Sequence, residues 1–479
     1  MKVSQAVKAP NLQPGRTMRD IPRLIVAAPA SGSGKSLIAS GLMAAFARQT
    51  TVQGFKVGPD YIDPMYHSAA TGRPSRNLDT WMLSPETVRQ SFGRACQAAD
   101  MAVIEGVMGL FDGYDSSPFN GSTAEVAHLL DAPVVLVMDC ARMSGSAAAT
   151  AHGFHTFVPE VRLAGVICNR VGGKRHTVWL RESIERLGLP VLGCLPYLPN
   201  LQVPERHLGL FTVAERPDAV RHFLAAAADA MQQHLDLPTL RAVAGAAAPF
   251  ECGETLQEPA GPAVAVRIAV ARDEAFCFYY EDNLDELRRA GATIVPFSPL
   301  QDGHLPLDIS GIYLGGGYPE LYAAQLSANH TLLDEIRAAH RRDAPIYAEC
   351  GGLMYLAAGI HLPAGDFPLA GLLPGWCSMG THLNMGYREV KTMRAGLLGA
   401  AGQTLRGHEF HYSQWENPIP IQAAYRISPR NYGDQPRLDG FTHGNLQAAY
   451  VHLHFGQNRA LPESFVRACC NWQKIAREN

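Results

Sequence analysis

From residue 23 onward, short apolar runs alternate with longer segments whose apolar residues recur every three to four positions. RLIVAAP (23–29) leads into SLIASGLMAAFARQ (36–49), and further runs follow as MAVIEGVMG (101–109), APVVLVMDC (132–140), LAGVICNRV (163–171) and PVLGCLPYL (190–198). Near-continuous β-branched and apolar runs suit strands covered on both faces, and the helical stretches between them suit crossovers. The pattern predicts parallel βαβ units over residues 21–235, preceded by a flexible tail over 1–20. Residues 236–264, including LRAVAGAAAPFECGETLQEPAGPA, turn rich in Ala, Gly and Pro and lose the strand pattern. That segment is expected to be a linker with a short helix. Alternation resumes with VRIAVARD, DNLDELRRAG, TIVPFSP, GIYLGGGYPE, LLDEIRAAHRR and PIYAECGG, and FPLAGLL, GHEFHYSQ and AAYVHLHF are expected to be further strands. A second α/β domain is therefore expected over 265–479, and no short repeat is visible.

Length agrees with this division, since 479 residues exceed one ordinary core. A hydrophobic content of 47% with 18% charged residues excludes a disordered chain. The net charge of −3, without a block of Lys or Arg, gives no footprint for nucleic acid. The ten cysteines form no C-x-x-C pair and no zinc spacing, so reduced thiols are expected. No run of about 18 apolar residues could span a bilayer, and the first twenty residues lack the apolar core of a signal peptide. A cytoplasmic protein with no membrane partner is expected, and a homodimer is compatible with it.

The first candidate chemistry is PASGSGKS (29–36), between a predicted strand and a predicted helix. In such a loop, Gly32 and Gly34 let backbone N–H groups surround phosphates, Lys35 neutralises them and the Ser36 hydroxyl can bind Mg²⁺. Pro29 stands where the strict pattern requires Gly, so this is a variant phosphate loop. Mg²⁺ favours carboxylate oxygens, and Glu105 in VIEGVMGLFDG and Asp60 in FKVGPDYIDP both end strand-like runs. Asp63 either binds metal or positions substrate; any of these acids could instead cap a turn.

A second candidate is IYAECGGLMYL (346–356), which reads as strand, sharp turn and helix. Cys350 on that turn is either a nucleophile or one of the many buried thiols that do no chemistry. Two further motifs favour the nucleophile. Gly315, Gly316 and Gly317 end a strand where bare backbone can help form an oxyanion hole, as can Gly351. His452 and His454 lie two apart on a late strand, so they point to one face, and one of them can activate the thiol.

These motifs also carry a resemblance. SGSGKS, FKVGPDYIDP, SRNLDTWML, VIEGVMGLFDGYD, AGVICNRV and VPERHLGL resemble the ATP-binding half of the cobyrinic acid a,c-diamide synthase (CobB/CbiA) family, whose first domain is related to dethiobiotin synthetase. GGGYPE, AECGG and Y-x-H-x-H-F resemble the class I glutamine amidotransferase domain in its cobyrinic and cobyric acid synthase form, over about 267–470. The resemblance implies a dethiobiotin synthetase-like parallel sheet followed by a flavodoxin-like domain. It implies MgATP on Lys35, Ser36, Asp60 and Glu105, with Asn169 either contacting adenine or merely ending its strand. It implies a corrinoid substrate with several carboxylates, for which Asp63, Asn77, Asp79, Arg206 and His207 are candidate pocket residues. Glutamine supplies ammonia through Cys350 and its base His452, and ATP converts a carboxylate to an acyl phosphate that ammonia attacks. Many class I domains place glutamate two residues after the histidine; His454 stands there, so the partner that orients His452 is open. Cobyric acid synthase and nickel sirohydrochlorin a,c-diamide synthase are neighbouring enzyme readings, and a ParA/MinD-type nucleotide switch is the non-enzyme alternative.

Overall fold

The computed structural model describes residues 17–199, 201, 205–206, 209–252, 266–416, 422–429 and 435–478. Its first domain is a seven-stranded sheet in the order 76–78, 52–57, 101–105, 23–27, 134–139, 163–171 and 191–196, all parallel. The inner strands Arg23–Ala27 and Met101–Glu105 are buried at every position, so their continuous apolar runs meet helices on both faces. One apolar layer lies under Lys35–Ala47 and Pro217–His234, the other under Pro85–Ala95 and Gly145–Phe157.

The segment expected as a linker contributes to this domain. Leu237–Gly245 is a helix whose Leu240 and Ala244 are fully buried, and Asp236 caps it by accepting from the Thr239 N–H at 3.0 Å. Phe250–Cys252 then pairs antiparallel with Thr17–Arg19, inside the stretch expected as a tail. Phe250 packs against Phe92, with Arg89 over its ring.

The second domain has a six-stranded sheet in the order 292–297, 266–271, 311–314, 346–349, 446–449 and 441–443. It is parallel except for its last strand. Beside it lies a sheet in which the long strands Cys377–Thr392 and Thr404–Trp415 pair antiparallel, and His452–Leu453 joins the latter. The run FPLAGLL, expected as a strand, is extended only at Phe367 and Pro368. The amides of Leu369, Ala370, Gly371, Leu372 and Leu373 instead donate to carbonyls of residues 355–358, which the end of the helix Gly351–Leu356 leaves without partners.

The domains meet across an aromatic and polar seam. Tyr61 stacks on Phe278 and Tyr280 with ring centroids 5.2 and 4.5 Å apart, and Trp81 stacks on Tyr387 at 4.5 Å. The Tyr387 hydroxyl donates to Asp79 at 2.8 Å, Arg406 donates to the Trp81 carbonyl at 2.8 Å, and the Ser91 hydroxyl donates to Asp282 at 2.7 Å. Arg76 reaches Asp285 at 2.7 Å.

Candidate active site

The phosphate loop sits at the carboxyl end of Arg23–Ala27. Gly32 and Gly34 have φ of 81° and 94°, a region that glycine enters without steric cost, and Gly34 N-caps the helix Lys35–Ala47. A Cβ on Gly34 would strike the Asn169 amide, which donates to the Ser33 carbonyl at 3.0 Å. Asn169 therefore braces the loop. Lys35 is folded back, its ammonium donating to the Met108 carbonyl at 2.5 Å, and Met108 itself has a φ of 45°. Burial and the neighbouring Lys56 lower the Lys35 pKa.

The carboxylates gather around a residue that the sequence motifs did not single out. Lys56, from the buried strand Val52–Val57, donates to Asp63 at 2.5 Å and to Glu105 at 2.9 Å. The Ser36 hydroxyl donates to Glu105 at 2.7 Å, and His67 bonds the other Glu105 oxygen at 2.6 Å. Burial alone would raise Glu105, yet Lys56 and His67 hold it far below the ordinary carboxylate range. Burial and the Glu105 charge push Asp63 the other way, so Asp63 is the member of the pair that takes a proton first. Asp60 accepts from the Ile62 N–H at 2.8 Å, a side-chain turn just ahead of the helix Ile62–Thr71.

The proposed pocket residues separate. Asn77 donates to the carbonyls of Gly58 and Asp60 at 2.8 and 2.7 Å, fixing the turn that carries Asp60. Asp79 is 1% exposed, and its oxygens accept from the Trp81 and Met82 amides and from Tyr387. Arg206 lies in the two-residue strand Glu205–Arg206, and His207 lies outside the described residues.

In the second domain Cys350 follows the strand Ile346–Glu349 and N-caps the helix Gly351–Leu356 with φ 49° and ψ −103°. Such a conformation costs on the order of 1–3 kcal/mol and gathers at functional turns. Burial, reinforced by Glu320, pushes the thiol pKa well up, so the buried sulfur needs a base before it can attack. A small cavity beside it is lined by Gly317, Tyr318, Glu320, Phe410 and His411, among others. Gly316 does not offer a free donor, because its amide pairs with the Phe278 carbonyl at 3.3 Å. Its lack of a side chain serves His452, whose Cε1 would lie 2.5 Å from a Cβ there. Gly351 packs on Gly317, with its Cβ position 3.1 Å from the Gly317 nitrogen.

His452 is fully buried and neither of its ring nitrogens has a hydrogen-bond partner among the described residues. Its ring lies 5.0 Å from that of Tyr61, which the first domain supplies from between Asp60 and Asp63. His454, two residues on, lies 3.8 Å from Asp282, and burial lowers its pKa to about 4. His411, unremarked in the sequence motifs, stacks on Tyr450 at 3.9 Å and donates through Nδ1–H to the Ser413 carbonyl at 2.8 Å. A GHEFHYSQ strand with four buried polar side chains, His408, Glu409, His411 and Ser413, was the signal available for it.

Fold and site together define a P-loop nucleotide-binding domain joined to a glutamine amidotransferase domain. Residues 24–211 match the CobQ/CobB/MinD/ParA nucleotide binding domain, and residues 267–460 match the CobB/CobQ-like glutamine amidotransferase domain. Cobyrinate a,c-diamide synthase of Synechocystis sp. is 44% identical over 94% of each chain. That of Syntrophotalea carbinolica is 44% identical over 94% of this chain and 98% of its own, and that of Salmonella typhimurium is 43% identical over 93% and 97%. This chain belongs to the cobyrinate a,c-diamide synthase family. It is a glutamine-hydrolysing ligase, with ATP and glutamine as substrates. No described helix is long and apolar enough to cross a membrane.

Proposed function

We propose that this protein converts the a and c acetate carboxylates of cobyrinate or hydrogenobyrinate to amides through acyl phosphates. The observation that carries the reading is the seam: Tyr61, flanked by the phosphate-site acids Asp60 and Asp63, lies against His452 of the thiol site. Ammonia released there enters the first domain without crossing bulk water, which would protonate it.

In the second domain Cys350 loses its proton to His452 and attacks the glutamine amide carbon. The N–H groups of Gly317 and Gly351 support the oxyanion. Ammonia leaves with the proton from His452, and water then hydrolyses the thioester. In the first domain Lys35 and the loop amides hold the ATP phosphates, and Asn169 meets adenine. A carboxylate is a poor electrophile, and phosphorylation gives it a leaving group.

Ser36, Glu105, Asp63 and Asp60 offer hard oxygen donors, and the Lys56 ammonium already sits between two of them, Asp63 and Glu105, so the set fits Mg²⁺. No cluster of three or more His, Cys, Asp or Glu side chains suited to a metal occurs among the described residues. When bound, Mg²⁺ neutralises phosphate charge; Lys56 keeps Glu105 ionised to receive it. Arg206 and His207 stay assigned to the corrinoid pocket through their motif, and Asp63 is its partner at the phosphate end. The setting is cytoplasmic, and a homodimer, checked by sedimentation, belongs to the same reading.

His411 is a second candidate base, because it lines the cavity that holds Cys350. Glutamate release by Cys350→Ala, His452→Ala and His411→Ala separates the two histidines. The function is tested by mass spectrometry after incubation with ATP, Mg²⁺, glutamine and cobyrinate, hydrogenobyrinate or nickel sirohydrochlorin. Two carboxyl-to-amide conversions of cobyrinate or hydrogenobyrinate are expected. More than two point to cobyric acid synthase chemistry, and ATP turnover with no amidation overturns the proposal.

A further inference from the structure

The carboxylate nearest to His452 comes from the residue immediately before the nucleophile. Glu349 ends the strand Ile346–Glu349 and is 1% exposed. Its Oε1 accepts from the Tyr347 hydroxyl at 2.7 Å and from the Leu453 amide at 3.0 Å, while Oε2 accepts from the Tyr313 hydroxyl at 3.0 Å. Oε2 also lies 3.7 Å from His452 Nδ1. All three hydrogen-bond donors are neutral, and His452 is the only ion-pair partner of Glu349 among the described residues. Burying a carboxylate without Lys or Arg is costly, and such groups concentrate where their charge has a task.

The same economy appears on the histidine. Other groups around it are the Tyr61 ring at 5.0 Å and the His408 ring at 6.2 Å. His408 is neutral near pH 7, because burial and His452 bring its pKa down to about 3. Glu349 is thus the only carboxylate among the described residues within ion-pair distance of His452. The position two residues after His452 is already occupied with domain docking, since His454 faces Asp282, which also binds Ser91 of the first domain.

We propose that Glu349 is the positioning residue of the thiol centre. A small rotation of the imidazole turns the 3.7 Å separation into an Nδ1–H···Oε2 hydrogen bond, leaving Nε2 to accept the Cys350 proton. The Cys350 S–H bond breaks and an Nε2–H bond forms, giving a thiolate and an imidazolium, and the Glu349 charge stabilises the imidazolium. When the C–N bond of the tetrahedral intermediate breaks, that proton leaves with ammonia. Tyr313, Tyr347 and Leu453 keep the carboxylate in place throughout.

This inference rests on Cys350 as nucleophile and His452 as base, so Cys350→Ala and His452→Ala are run beside it in the full-length enzyme. Both are expected to lose glutamate release; if they keep it, the underlying reading fails and this one with it. Glu349→Gln is expected to lower kcat for glutamine about 10- to 100-fold with KM within about twofold. Alkylation of Cys350 by iodoacetamide at pH 7 should slow in parallel, with its pH profile moved upward, because the imidazolium has lost its counter-charge. Glu349→Asp keeps the charge but withdraws it by one methylene, and should fall between Gln and wild type. A purely structural carboxylate would leave the alkylation profile in place. Gln and Asp variants that hydrolyse glutamine within twofold of wild type, with unchanged profiles, overturn the proposal. Should Glu349→Gln fail to fold, the Asp variant decides alone, by a kcat loss of about tenfold or by none.

Discussion

The phosphate centre and the thiol centre both occupy the carboxyl ends of parallel strands, but they handle burial in opposite ways. Around Glu105 every charge is answered: Lys56 binds two carboxylates, Ser36 and His67 take the remaining Glu105 valences, and Lys35 leans on a carbonyl. Around Cys350 the thiol is held neutral by burial and the two nitrogens of His452 have no hydrogen-bond partner among the described residues. A site that binds a polyanion keeps its charges and compensates them internally until the ligand arrives. A site that creates its charge during reaction keeps its thiol neutral and leaves the bonds of its base unmade, with the Glu349 carboxylate set beside that base.

The largest effects should fall on nitrogen supply. Cys350→Ala is expected to lower glutamine-dependent amidation more than about 10³-fold while high ammonium still supports amidation. Lys35→Ala is expected to lower amidation from either nitrogen source on the order of 10²–10³-fold. Product formation with each source, followed by mass spectrometry, reads both, and failure of ammonium in Cys350→Ala would break the division between the centres.

Next comes stability. Lys56→Met strands two neighbouring carboxylates and should cost about 3–5 kcal/mol in chemical denaturation. Adding Glu105→Gln should return part of that loss, since one charge no longer needs an answer. An unchanged unfolding midpoint in Lys56→Met would show that the compensation is only apparent.

The smallest expected effect is a pH dependence at the seam. Burial raises Asp79 from 3.8 to about 6 against the hydrogen bonds of Met82, Tyr387 and Trp81. Between those values the folded chain holds a proton that the unfolded chain has released, so this group's contribution falls as pH rises through that window. Asp79→Asn should therefore flatten the change in melting temperature between pH 4 and pH 6.5, as thermal unfolding at successive pH values will show.

Much of this was legible in the sequence. Strand and helix periods placed the two largely parallel sheets but not the strand Cys377–Thr392 of the antiparallel one, and the phosphate loop and the Cys350 turn stood out because their glycines and flanking elements are local signals. Lys56 was harder to see, although a lysine inside a buried strand has to be paired. Its partners, Asp63 and Glu105, come from two other elements, and no spacing rule joins them. Glu349 was visible beside Cys350, but its nearness to His452 depends on the pairing of Glu349 with Ala449 in adjacent parallel strands. The run 369–373 is apolar enough for a strand, yet the end of a helix needed its amides more. Asp79 is a pocket candidate through its family motif SRNLDTWML, and no motif shows that three donors at the seam take up its oxygens.

The ribbon formed by residues 17–19 and 250–252 puts the beginning and the end of the ATP-binding unit side by side. On the ribosome that unit is incomplete until residue 252 has emerged, and the amidotransferase half is made only afterwards. A gene divided near residue 236 would separate Phe250 from Phe92 and Arg89, whereas one divided after residue 252 would leave the ribbon whole. The same chemistry could then be encoded as two polypeptides that find each other through Tyr61, Trp81 and Arg76.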